Sequence, residues 1–152
     1  MPENDSQQMN DRIDHIMAAL SHATALIPMV GVIAPIVIWV TQKDKSEYVA
    51  FQGLQAIVYQ FVMIIAYFFG MALYILSTFL MMVIMAFSAG HFQEVVVIIP
   101  FVVLIGIFVF GGLLILYGVI AAVMTAMGKD FQYILIGNWV KKYTIKQNSI
   151  TA

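Results

Sequence analysis

From Gly53 to Ser88, and again from Val95 to Ala126, the chain runs for 36 and 32 residues without one charged side chain. Lipid offers no hydrogen bonds to a peptide group, so a stretch of this kind must satisfy its own backbone, and a helix does so. Helical throughout, the two runs would be roughly 54 and 48 Å long, more than a hydrocarbon core of ~30 Å requires. Tilting and protrusion beyond the bilayer are therefore expected, above all at residues 46 to 56. Neither run contains a polar turn at which it could be divided. Breaks at Gly70 or at Gly111-Gly112 would leave halves mostly shorter than the ~17 residues a span needs. With 62% of 152 residues hydrophobic and 10% charged, the composition belongs to an integral membrane protein. The expected fold is an all-α helical bundle with three transmembrane helices, at about 16–40, 53–88 and 95–126. Four helices is the alternative.

The first of these spans is unlike the others. Its apolar part, Ile16 to Val40, is 25 residues long and would reach about 37 Å. However, Pro28 and Pro35 each lack an N–H and free the carbonyls of Thr24 and Gly31, so a helix through both must kink or break. A re-entrant hairpin turning near Pro28 to Gly31 is the competing geometry. Trp39, just before Lys43-Asp44-Lys45, suits an amphipathic ring at headgroup level. Beyond that turn Gln52, Gln55 and Tyr59 share one helical face, with Gln60 beside them. His22, Pro28, Pro35, Gln52, Gln55, Tyr59 and Gln60 are thus the candidate polar site. Two readings fit it. The amides could hydrogen-bond the freed carbonyls as packing contacts, or they could line a hydrated crevice against the broken helix.

Helix packing has its own signature. Gln60, Tyr67 and Tyr74 recur every seven residues, interleaved with Met63, Gly70 and Ser77, and the third run answers with Gly111, Gly118 and Thr125. Gly118, Ala122 and Ala126 stand at the spacing that lets two backbones approach where no hydrophobic effect drives helices together. These residues are expected to pack helix on helix within the subunit, with a homodimer face or a pore lining as the alternatives.

The termini are polar. The first ten residues read as an acidic, disordered tail, with a helix beginning near Asp11. They lack the basic region that precedes the apolar core of a secretory signal. Residues 129–152 read as an interfacial segment in which Phe131, Tyr133 and Trp139 supply rings and Lys141, Lys142 and Lys146 meet anionic lipid. Two lysines in the 42–47 turn, none around His91 and four from Lys129 onward place that turn and the C-terminus in the cytoplasm. The N-terminus would be outside in the three-span arrangement and inside in the re-entrant one.

Much chemistry is excluded. Seven basic residues among eight acidic ones make no basic patch, so nucleic acid is not an expected partner. There is no cysteine, hence no disulfide and no thiolate chemistry. His15 and His22, seven residues apart and about 10 Å along a helix axis, cannot share a metal ion, which on a helix wants spacings of three or four. No acidic residue lies between Glu47 and Glu94 or between Glu94 and Asp130. An ion-coupled transporter or a carboxylate-dependent intramembrane protease would need one there. No cofactor, metal or catalytic group is expected.

His22, Pro28, Pro35 and Trp39, the KDKS turn, then Gln52, Ala56 and Gln60, with FQYILIGNWV near the C-terminus, resemble small bacterial membrane proteins. These are related to the twenty-kilodalton channel subunit of the chloroplast inner-envelope protein translocon. This chain carries Gln52, Val58 and Ile134 where those relatives commonly have His, Asn and Pro. The resemblance implies a multi-pass protein of the bacterial inner membrane and, as one function, a channel or protein-translocation component. From the residues themselves the expected function is a non-enzymatic scaffold or accessory subunit, its partners the lipid bilayer and other membrane proteins or copies of itself.

Overall fold

The computed structural model describes residues 2–87, 93–134 and 136–142. The expected loop around His91, and Lys146 in the tail, lie outside the described residues. Among the described residues four α-helices follow one another, α1 (Pro2–Ala23), α2 (Ile33–Gln42), α3 (Glu47–Phe87) and α4 (Gln93–Ala126), with a 3-10 turn at Thr24–Leu26 after α1, and residues 137–142 are helical again. The fold is all-α, and among the described residues there is no strand. Helix α1 takes in residues 2–10, expected as a tail.

The first expected span is not formed. Pro28 ends the helical path after the 3-10 turn, residues 27–32 form a turn, and α2 starts again at Ile33. Helices α1 and α2 pack against each other, and Asp14 on α1 accepts a hydrogen bond from Ser46 Oγ beyond the end of α2. The chain has therefore turned back on itself as a hairpin, the competing geometry. Helix α2, ten residues long, reaches only ~15 Å, about half a hydrocarbon core. Pro35 sits in the first turn of α2, where a missing N–H costs nothing, and α2 is not broken there. The carbonyl of Thr24 that Pro28 leaves free accepts the N–H of Ile27 at 3.0 Å. Among the described residues two helices, α3 and α4, are long and apolar enough to cross a membrane, where three or four were expected.

Both have defined ends. Ser46 Oγ accepts the N–H of Val49 at 3.3 Å, the side-chain cap expected of Ser before a helix. Helix α4 closes in a Schellman motif: Gly128, at φ 74°, donates to Thr125 O, and Lys129 donates to Met124 O, each at 3.0 Å.

The chain divides into two compact units, residues 63–114 and residues 1–62 with 115–152. The first is a pair of helices. Across it Gly70 accommodates Ile107, and Gly111 accommodates the Tyr67 ring, whose Oη would stand 2.7 Å from an added Cβ. Tyr74 is half-exposed. Ile65, Phe68, Phe69, Phe101, Ile105 and Phe108 all point away from the chain. Of the most apolar stretch of α3 only 6% is buried within the chain, and of α4 17%, whereas the core helix of a soluble protein would be mostly buried. Lipid is the solvent that matches such faces.

The second unit holds the hairpin, the start of α3, the end of α4 and the C-terminal segment. Gly53 lies against Trp39 and the Pro35 carbonyl, so α2 rests directly on the α3 backbone. Gly118 serves more than a two-helix seam. An added Cβ there would meet Ala25 Cβ of the 3-10 turn at 2.7 Å and the Tyr59 ring at 3.4 Å, while Ala122 is buried nearby along α4. We expect Gly118→Ala to destabilise the fold by about 1–3 kcal/mol through overpacking. Ala25→Gly in the same chain should recover most of that loss, a coupling readable in a double-mutant cycle of detergent-solubilised protein. Additive losses would show that the two positions do not meet.

A buried polar knot as the candidate functional site

The glutamine face of α3 turns inward. Gln52, Gln55 and Gln60 are buried, and so are His22, Ser21 and Thr125. Each of the glutamines and His22 has hydrogen-bonding partners inside the chain. Gln55 grips the segment after α4 with both ends of its amide. Its Oε1 accepts the N–H of Tyr133 at 3.1 Å, and its Nε2 donates to the carbonyl of Phe131 at 3.3 Å. Gln52 Nε2 donates to the same carbonyl at 3.1 Å. Its Oε1 faces His22 Nε2 at 3.0 Å, while His22 Nδ1 lies 3.1 Å from Tyr133 Oη. A neutral imidazole satisfies both contacts, donating from Nε2 to Gln52 and accepting at Nδ1 from the Tyr133 hydroxyl. Burial raises the Tyr133 phenol above its ordinary range, helped by the neighbouring Tyr59 and Tyr117, so it stays protonated and able to donate. Gln60 Nε2 donates to Thr24 Oγ1 at 2.8 Å, and Thr24 Oγ1 donates onward to Ser21 O at 2.9 Å.

Rings pack around these bonds. Tyr59 stacks on Tyr133 with centroids 4.2 Å apart and planes 7° from parallel. Tyr117 stands edge-on to Tyr59, Phe131 and Tyr133, and His22 edge-on to Phe131 and Tyr133. Such pairs add to the area they bury.

The candidate residues thus separate. His22, Gln52, Gln55, Tyr59 and Gln60 come together. Pro35 is buried beside α3, and Pro28 is exposed at the hairpin turn. The amides do not meet carbonyls freed by the prolines. Their partners come from Thr24, His22 and the backbone of residues 131–133, the latter absent from the sequence reading of the site. Phe131 and Tyr133, expected as interfacial rings, are buried. Trp139 is 58% exposed, and Lys141 and Lys142 are exposed with it. The Lys43 ammonium lies 5.6 Å from the centre of the Trp39 ring, a cation–π contact at the charged end of α2. Among the described residues no group of three or more His, Cys, Asp or Glu could hold a metal ion.

Tyr133→Phe tests the knot directly. It leaves His22 Nδ1 buried without a donor, and the expected loss is about 1–2 kcal/mol. Thermal unfolding in mild detergent measures it, and unchanged stability would mean that the Tyr133 hydroxyl contributes nothing to the packing.

The family model described as the magnetosome magnetite crystal formation protein family (MamF/MmsF) matches residues 13–140, which include the hairpin, both long helices and the knot. The chain belongs to that family. The resemblance to the plastid translocon subunit is thereby corrected. The features that suggested it are a proline-broken first segment, a Trp before a charged turn, small and amide residues on a helix, and a closing aromatic run. Among curated proteins and solved structures nothing matches the chain. Membership of MamF/MmsF and the two apolar helices make it a membrane protein.

Proposed function

We propose that this MamF/MmsF member is a non-enzymatic accessory subunit of the magnetosome membrane that acts in magnetite crystal formation through contacts with lipid and with other membrane proteins or further copies of itself. Family membership over residues 13–140 carries the setting. The accessory role is supported by the pairing of the polar stripe. His22, Gln52, Gln55 and Gln60 spend their hydrogen-bonding groups on one another, on Thr24 and on the 131–133 backbone. Those residues hold the fold together and are not presented to a solute. The outward faces are apolar and suited to lipid or neighbouring helices. In this reading the 42–47 turn and the C-terminus face the cytoplasm, following the lysines.

The test is removal of the chain from a magnetite-forming host, with crystal size and number measured by electron microscopy, beside reconstitution of the purified chain in liposomes. We expect altered crystals in the deletion strain and no acceleration of iron oxidation or solute flux by the reconstituted chain alone. Normal crystals would end the assignment to crystal formation. Flux through the purified chain would replace an accessory by a channel.

A further inference from the structure

The hairpin formed by α1, the 27–32 turn and α2 carries no charged side chain between Asp14 and Lys43, and its outer surface is apolar. Ile16 and Leu20 on α1, and Ile33, Val37 and Val40 on α2, are each more than half exposed, at helical spacings of three and four residues. At the turn Leu26, Ile27 and Val30 are likewise more than half exposed. The polar groups of the same stretch are withdrawn. Ser21 and His22 are buried, and the Thr24 and Thr41 hydroxyls donate to backbone carbonyls. The turn also closes its own backbone: Ile27 donates to Thr24 O, Val30 to Pro28 O, Gly31 to Ile27 O and Ile33 to Val30 O. Non-helical backbone tolerates an apolar medium only when paired in this way.

Length and charge select the medium. Helix α2, at ten residues, spans ~15 Å, the depth of one leaflet of a ~30 Å core. Every charge on the hairpin is at its open end, where Asp14 is tied to Ser46 and the Lys43 ammonium sits over the Trp39 ring. An amphipathic ring beside a lysine is the arrangement that anchors a helix end among headgroups. We propose that this hairpin is a re-entrant wedge inserted into a single leaflet, that its partner is the acyl chains of that leaflet, and that α1 and α3 therefore begin on the same side of the membrane. The inference requires only that the chain sits in a bilayer and does not depend on the role in crystal formation.

The chain contains no cysteine, so single replacements report cleanly. Gln8→Cys, Val30→Cys and Asp44→Cys are made in the full-length chain, with Val37→Cys as the substitute should Val30→Cys not accumulate. In intact cells and after permeabilisation, Gln8→Cys and Asp44→Cys should react with an impermeant thiol reagent from the same side. In liposomes a fluorophore at Val30→Cys should lose several times more emission to lipids brominated on their acyl chains than one at Asp44→Cys. Aqueous iodide should show the reverse order. Labelling of Gln8→Cys and Asp44→Cys from opposite sides would restore a full span and overturn the wedge. Efficient iodide quenching at Val30→Cys would place the turn in water and overturn it too. A Val30→Cys fluorophore shielded from both quenchers until the protein is diluted into excess lipid would assign the surface to a second copy.

Discussion

Gly31→Ala should unfold the hairpin. A Cβ at this position would stand 2.0 Å from the carbonyl oxygen of Thr24 and 2.5 Å from that of Ile27, distances at which no carbon and oxygen coexist. Neither oxygen is free to move. Thr24 O holds the N–H of Ile27, and Ile27 O holds the N–H of Gly31 itself, so relief of the clash breaks the bonds that define the turn. Overpacking against side chains typically costs 1–3 kcal/mol. Against pinned backbone we expect a loss of about 3 kcal/mol or more, seen as a fall in unfolding temperature in mild detergent. A neighbouring change should act in the opposite sense. Met29 holds φ at 70° and its side chain is exposed, so Met29→Gly removes a left-handed strain at little packing cost and should gain about 0.5–1 kcal/mol. An unaltered unfolding temperature for Gly31→Ala would refute the turn as described.

The same turn shows what the sequence could and could not tell. Two charge-free runs of more than thirty residues admit little besides helix, and α3 and α4 follow. Pro28 announces a break, but a break says nothing about direction. The reversal depends on Gly31 admitting the Thr24 carbonyl and on Ser46 reaching back to Asp14, contacts between residues up to 32 positions apart. Pro35 carried the same warning as Pro28 and caused no break, because a proline in a first helical turn has no bond to lose. For the site, helical spacing puts Gln52, Gln55 and Tyr59 on one face, and in the structure all three are buried. Its partners were harder to see. An irregular segment such as 129–133 has neither helix nor ladder to occupy its peptide groups, and the buried ones, at Phe131 and Tyr133, recruit side-chain amides. The glutamines on α3, expected to meet proline-freed carbonyls or to line a crevice, and the aromatic segment after Gly128, expected at the interface, are complementary halves of one arrangement separated by more than seventy residues.

Gln55→Leu should have the largest effect of any substitution in the polar knot, because Gln55 alone bonds the closing segment through both atoms of its amide. Leucine keeps much of the volume and removes both bonds. The Phe131 carbonyl retains the Gln52 amide at 3.1 Å, whereas the buried N–H of Tyr133 loses its Gln55 partner. An orphaned buried donor costs ~1–3 kcal/mol, and with the second bond lost we expect about 2–4 kcal/mol. The stacking of Tyr133 on Tyr59 and the hydroxyl contact to His22 depend on the same segment staying docked, so the loss should appear as release of residues 129–142. Trypsin reads that release directly, by faster cleavage at Lys129, Lys141 and Lys142, while α3 and α4 remain in the membrane. Gln60→Leu is the internal control. It gives up one bond to a Thr24 hydroxyl that still donates to Ser21 O, a change worth roughly 0.6 kcal/mol between helices in lipid, and should leave cleavage unchanged. Equal losses for Gln55→Leu and Gln60→Leu, with no faster cleavage in either, would mean that the aromatic packing holds the segment and the amide grip does not.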